Sequence, residues 1–176
     1  MQNHAPREAD SPEEVLDLVD ENDSVIDSIS RKEVYRRGLK NFRVVHAFII
    51  NSEGKIWTPR RVSTKKLFPN GLDYSIAGHV SSGGTYEEAL IKEAEEEVNL
   101  QLTPENFVEI AHLKPHLDHT ACFQKLFEIK TNKTPSYNPE EFSGFEWLTP
   151  EEIVKRGDEG EIMKSDLSDI VRRFYL

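Results

Sequence analysis

The stretch GHVSSGGTYEEALIKEAEEEVNL, residues 78–100, constrains the fold more than any other part of the chain. A glycine-rich turn leads directly into a segment with six glutamates between Glu87 and Glu97. Thr85, with Glu88 three residues on, forms a capping box, so a helix is expected to start near Tyr86. Leu90, Ala94 and Val98 recur at intervals of four, with Ile91 beside them, and make the buried stripe of that helix. Glu93, Glu96 and Glu97 stand at i, i+3 and i+4, which places their side chains in one sector of the helix. Like charges at that spacing repel, and Lys92 relieves only part of this by pairing with Glu88 and Glu96. Two readings follow: a solvated acidic face, or three carboxylates converging on a hard divalent cation that prefers oxygen ligands. The glycines Gly78, Gly83 and Gly84 favour the second, because such a turn lets backbone approach a phosphate closely.

The rest of the composition narrows the class of protein. The chain has 176 residues, enough for one domain with its own core. Its net charge of −10 argues against binding a nucleic acid polymer, which requires a basic surface. A small phosphorylated molecule remains compatible if a metal or local cations neutralise it. Cys122 is the single cysteine, which excludes a disulfide framework and suits a reducing compartment. No apolar run is long enough for a membrane span, and the N-terminus lacks a signal-peptide core. The expectation is therefore a cytoplasmic protein without a membrane partner.

Along the chain, residues 1–12 are polar, contain Pro6 and Pro12, and are expected to form a mobile tail ahead of a domain over 13–176. Strands are expected at Val15–Val19 and Val25–Ser30, joined by a DEND turn, then a short helix over Arg31–Arg37 closed by Gly38. Val44–Ile50 and Lys55–Arg61 read as a hairpin around NSEG, and Tyr74–Ala77 as a short strand. After the acidic helix come two strands joined by a turn at Pro115–Thr120, and another strand around Gly144–Leu148. Thr149 and Pro150 start a helix as N-cap and first residue. A last helix carries Leu167, Ile170, Val171 and Phe174 on one face. Strands and helices without strict alternation point to a mixed α/β sandwich.

The segment from Gly78 to Leu100 resembles the Nudix box, Gly-x5-Glu-x7-Arg-Glu-U-x-Glu-Glu-x-Gly-U, where U is apolar. Gly78, Glu93, Ala94, Glu96, Glu97 and Leu100 fit it. Gly84 replaces the first Glu, Lys92 the Arg and Asn99 the closing Gly. Asn tolerates the left-handed backbone of a helix C-cap, whereas Lys loses the bidentate fork of Arg. The resemblance implies the Nudix fold, an α/β/α sandwich with a mixed β-sheet, and a Mg²⁺ or Mn²⁺ ion held by Glu93, Glu96 and Glu97. It also implies hydrolysis of a diphosphate linkage in a nucleoside diphosphate derivative or related small molecule, and pairing into a homodimer.

The flank NSEGKIWTPRRVSTKKLFPNGLDYSIAGHV is similar to the isopentenyl-diphosphate isomerase-like branch. That likeness puts Arg61 and Lys65 on a diphosphate and His79 at a metal-binding histidine. Adjacent cations suit a diphosphate physically. The isomerase, the alternative activity, carries a Cys where this chain has Ala77, a His where it has Phe42, and a Glu that HLDHTACFQ lacks. Acid–base chemistry at carbon needs such groups in place, which leaves the hydrolase reading. There Glu96, Glu97 and Glu141 are the catalytic candidates, with Glu140 beside the last, and Arg61, Lys65, Gly78 and His79 contact the substrate. A third reading, a non-catalytic nucleotide-binding module, rests on Gly84 and Lys92. His112, His116, Asp118 and His119 have spacing seen in zinc sites, but Pro115 interrupts any helix that would align them. Trp57 and Trp147 read as core or rim aromatics.

Overall fold

A computed structural model describes residues 13–176, so the expected tail at 1–12 lies outside the described residues. The elements, in order, are β1 (Val15–Val19), β2 (Val25–Ser30), α1 (Arg31–Arg36), β3 (Arg43–Ile50), β4 (Ile56–Arg61) and β5 (Ile76–His79). They continue with α2 (Tyr86–Val98), β6 (Val108–Leu113), α3 (Pro115–Asp118), β7 (Phe123–Lys130), β8 (Phe142–Leu148), α4 (Pro150–Asp158) and α5 (Leu167–Tyr175).

The main sheet has the order β6-β7-β3-β4-β8, with β5 also paired to β3. β3 and β7 run parallel, while β3–β5, β4–β8 and β6–β7 are antiparallel, so the sheet is mixed. Alternation along β3 divides its side chains between two cores. Val45, Ala47 and Ile49 face α2, where they meet Leu90, Ala94 and Val98. Phe48 and Ile50 face the opposite way, onto Ile153 of α4 and Leu167, Ile170 and Val171 of α5. Both faces of β3 are thus buried, which explains its nearly continuous apolar run. The result is an α/β/α sandwich. A third, smaller core of Leu16, Leu18, Val34, Phe42, Val44 and Cys122 seats the β1–β2 hairpin and α1 against the sheet.

Local chemistry sets the helix ends. Thr85 and Glu88 form the expected capping box on α2, and Asn99 ends it in the left-handed conformation at φ 52°. Thr149 caps α4, with Pro150 in its first turn. Two expectations shift. The strand expected at Tyr74–Ala77 pairs instead over Ile76–His79. Upstream, the Ser75 side chain takes the place of a ladder partner, accepting from the Ile49 N–H at 2.9 Å and donating to the Trp57 carbonyl at 2.5 Å. The turn expected at Pro115–Thr120 contains the one-turn helix α3, with Pro115 in its first turn, where its missing N–H costs nothing. Trp57 is fully buried and Trp147 packs against the same core.

Candidate active site

α2 lies across β5, and that crossing creates the site. Gly78 on β5 sits directly beneath Glu93 of α2. A Cβ at residue 78 would fall 2.3 Å from Glu93 Cγ, so only glycine lets this carboxylate pass over the strand. One turn along α2, Glu97 Oε2 accepts the Ala77 N–H at 3.1 Å. Glu93, Glu96 and Glu97 therefore reach the same end of the sheet. They line one cleft of about 90 Å³ together with Ala77, Gly78, His79 and Glu141.

The cleft is strongly acidic. Burial, reinforced by Glu96, pushes the Glu93 carboxyl up to about 7 despite the Lys92 ammonium beside it. Burial also raises Glu97 well above the usual carboxylate range, and the Glu93 charge adds to this. Lys92 Nζ stands 3.4 Å from Glu93 Oε1 and 3.7 Å from Glu96 Oε2, partly occupying the space between them. Desolvated carboxylates that repel one another form a donor set suited to a hard divalent cation. The set fits by chemistry rather than by closed geometry, since among the described residues no three such side chains already surround a metal-sized point. Lys92 engages Glu93 and Glu96, and the Ala77 amide engages Glu97.

Of the residues singled out in the sequence, Glu93, Glu96, Glu97, Gly78, His79 and Glu141 are brought together at this cleft. Glu141 lies at the foot of β8 and is largely buried, whereas Glu140 is exposed. Lys65 is also buried, and its Nζ donates to Glu141 Oε2 at 2.5 Å. Arg61 is buried as well. Its Nη1 pairs with Asp73 and its Nε donates to the Leu67 carbonyl at 3.0 Å. His79 stacks on Phe42 at 5.7 Å, and its Nε2 is 2.8 Å from Tyr35 Oη. Burial, with Arg31 nearby, holds its imidazole pKa well below the usual value.

The glycine turn differs from its expected role as an open phosphate cradle. Asp17 of β1 occupies it, accepting from the Gly83 N–H at 2.9 Å and from Ser82 Oγ at 2.6 Å. The histidines around Pro115 also diverge. His112 Nε2 lies 2.8 Å from Asp23 Oδ2, while Asp118 pairs with Arg173 at 2.9 Å.

Two lining residues escaped the sequence reading. Glu14 and Arg31 enter the cleft from the β1–β2–α1 segment. Their side chains flank the β1–β2 hairpin, and no local pattern in the sequence announces where that hairpin docks. Arg31, Ala77, Gly78 and His79 also line a second, larger cavity of about 610 Å³ that continues past Phe42, His46 and Cys122. This volume lies within the range of about 300–1,000 Å³ typical of small-molecule sites.

The family model of the NUDIX domain matches residues 40–166, which include the glutamates of α2, Glu141 and all the strands of the main sheet. The chain belongs to the Nudix family. An uncharacterized Nudix hydrolase from Nostoc sp. (strain PCC 7120) is 46% identical over 162 residues, covering 92% of this chain and 96% of the relative. A Nudix hydrolase from Deinococcus radiodurans is 44% identical over 163 residues, covering 93% of this chain and 95% of the relative. The crystal structure of the D. radiodurans protein DR0079 superposes with a TM-score of 0.85 at 43% identity, covering 93% of this chain and 100% of that one. A MutT protein from Methanosarcina mazei shares the fold at 19% identity and a TM-score of 0.57, over 75% of this chain and 91% of that one. This Nudix chain is accordingly a hydrolase, of a family that acts on small molecules and generally uses divalent metal ions. Among the described residues no helix is long and apolar enough to cross a membrane.

Proposed function

We propose that residues 13–176 act as one Nudix domain, a Mg²⁺-dependent pyrophosphohydrolase in which Mn²⁺ can substitute. Its substrate would be a nucleoside diphosphate derivative or a related small molecule with a diphosphate linkage. The observation that carries this reading is the adjacency of two spaces. A cleft lined by Glu93, Glu96, Glu97 and Glu141 shares Arg31, Ala77, Gly78 and His79 with a cavity large enough for an organic group. A diphosphate at the cleft would then project its organic group into that cavity.

When bound by Glu93, Glu96 and Glu97, a divalent ion would neutralise phosphate charge and lower the pKa of the attacking water. The chain's own residues supply the rest. Glu141, held by Lys65, is positioned to take the proton from a water whose oxygen bonds to phosphorus as the bridging P–O bond breaks. Glu96 and Glu97 act with it as the catalytic carboxylates. Gly78 leaves room for Glu93 and for the phosphate, and His79 borders the organic group. In this scheme Lys65 works through Glu141. Arg61 is paired with Asp73, and a phosphate would compete with that carboxylate for it. We place this chemistry in the cytoplasm. The family likeness also points to a homodimer, which sedimentation would register.

The likeness to the isopentenyl-diphosphate isomerase-like branch is read here as shared scaffold. Ala77 replaces the thiol, and burial pushes the thiol of Cys122, which lines the cavity, up to about 12. One observation favours a second reading, the non-catalytic nucleotide-binding module: Lys92 lies between two of the three proposed metal ligands. A panel of nucleoside and alkyl diphosphates, assayed for phosphate or monophosphate release with and without Mg²⁺, distinguishes the two. The hydrolase reading expects release that is lost with chelator and in Glu97→Gln. Tight binding with no turnover on any member would favour the module.

A further inference from the structure

Arg31 occupies the seam between the acidic cleft and the larger cavity and lines both. A stiff support brings it there. The β1–β2 turn is pinned through Asp23, which accepts from Arg43 Nε at 2.6 Å and Tyr86 Oη at 2.9 Å, with His112 Nε2 at 2.8 Å. β1 is stitched to the glycine turn by Asp17 and by the Ser82 N–H, which donates to the Val15 carbonyl at 2.8 Å. Arg31 directly follows β2, and its own N–H donates to the Glu14 carbonyl at 2.6 Å. The backbone beneath the guanidinium is therefore fixed, and its side chain is 13% exposed.

Among the described residues, the partners of this guanidinium are few for its capacity. Arg carries five N–H donors in a planar fork that matches phosphate oxygens. Arg31 Nη1 makes one long contact with Glu14 Oε2, at 3.4 Å, and the group lies 5.9 Å from the centre of the Tyr35 ring. Two other cations near the cleft are engaged more closely, Arg61 with Asp73 and Lys65 with Glu141, while Lys92 is shared between Glu93 and Glu96 at 3.4 and 3.7 Å. Glu14 is also held from the other side, by Ser81 Oγ at 2.7 Å, so it can keep a partner when Arg31 leaves it.

We propose that Arg31 binds the substrate's diphosphate at this seam, on the phosphate adjoining the organic group, and that Glu14 occupies the guanidinium until a phosphate displaces it. This rests on the pyrophosphohydrolase reading and assigns part of substrate recognition to the N-terminal hairpin, upstream of the matched domain model.

The test is calorimetric titration of imidodiphosphate with Mg²⁺ into wild type, Arg31→Gln, Arg31→Lys and Glu14→Gln, with a melting curve for each. Arg31→Gln is expected to weaken binding about 10- to 100-fold, the loss of one or two charge-assisted hydrogen bonds. Arg31→Lys falls between, keeping the charge and losing the fork. Glu14→Gln removes the competing carboxylate and is expected to tighten binding about threefold or more, each tenfold being about 1.4 kcal/mol. A merely structural pair would weaken binding on both sides. Equal affinity in Arg31→Gln and wild type, or weaker binding in Glu14→Gln, overturns the proposal and leaves the hydrolase reading standing. If Arg31→Gln does not fold, the sign of the Glu14→Gln effect decides. Wild-type protein that takes up no imidodiphosphate would overturn both.

Discussion

Gly78 and Glu93 are one device. The carboxylate crosses the strand where a side chain is missing, so the glycine sets the carboxylate's position. Gly78→Ala is expected to push Glu93 out of the cleft, lowering turnover at least about tenfold while costing about 1–3 kcal/mol of stability, as overpacking does. Paired measurements of kcat and thermal melting would test this, and unchanged turnover would count against it. His46 offers a second test at this scale. Burial against Tyr74, whose ring stacks on it at 3.9 Å, depresses its pKa to about 4. A depressed folded-state pKa favours the native state above the unfolded value of about 6.5, and this stability is lost as pH falls toward 4. His46→Phe should therefore lose less melting temperature than wild type between pH 6.5 and 4. The glutamate triad was legible in the sequence because its 3- and 4-residue spacing is a helix property. The partners of Arg61 and Lys65 were not, because Asp73 and Glu141 lie 12 and 76 residues away and only the fold brings them near.

Among the elements, α2 carries both the chemistry and the core. Its polar sector faces the cleft while Leu90, fully buried, faces the sheet. Leu90→Ala should cost about 2–5 kcal/mol by chemical denaturation, the usual range for a buried leucine. Thr85→Ala should cost about 1 kcal/mol by removing the cap that accepts the Glu88 N–H. A loss below a few tenths in Leu90→Ala would mean that α2 does not pack as described. This helix was readable because period and cap agree with its tertiary role. β5 was misplaced by two residues because Ser75 satisfies backbone and carbonyl with its side chain, an arrangement that mimics strand pairing without ladder bonds. The turn glycines were legible as a special turn, but their occupant was not. Asp17 reaches Gly83 from 66 residues away, so the turn is clasped by protein.

Across the whole molecule, the sheet separates two helical layers, and the site lies where β5, α2, the foot of β8 and the N-terminal hairpin meet. The acidic cleft and the larger cavity share one wall, which allows a diphosphate and its organic group to be held at once. The layered fold followed from the mixture of strands and amphipathic helices; the docking of the hairpin did not, since β1 and β2 pair with each other and their seat is set by distant partners, Asp17 on the glycine turn and Asp23 on Tyr86 among them. The central claim is that Glu93, Glu96 and Glu97 tolerate their crowding because a divalent ion joins them. Manganese titration followed by electron paramagnetic resonance, on wild type and Glu97→Gln with imidodiphosphate present, tests it most directly. The account predicts a tight site in wild type that weakens at least about tenfold in the variant, as loss of a charged ligand should. Equal manganese uptake by the two proteins, or none by either, would contradict it.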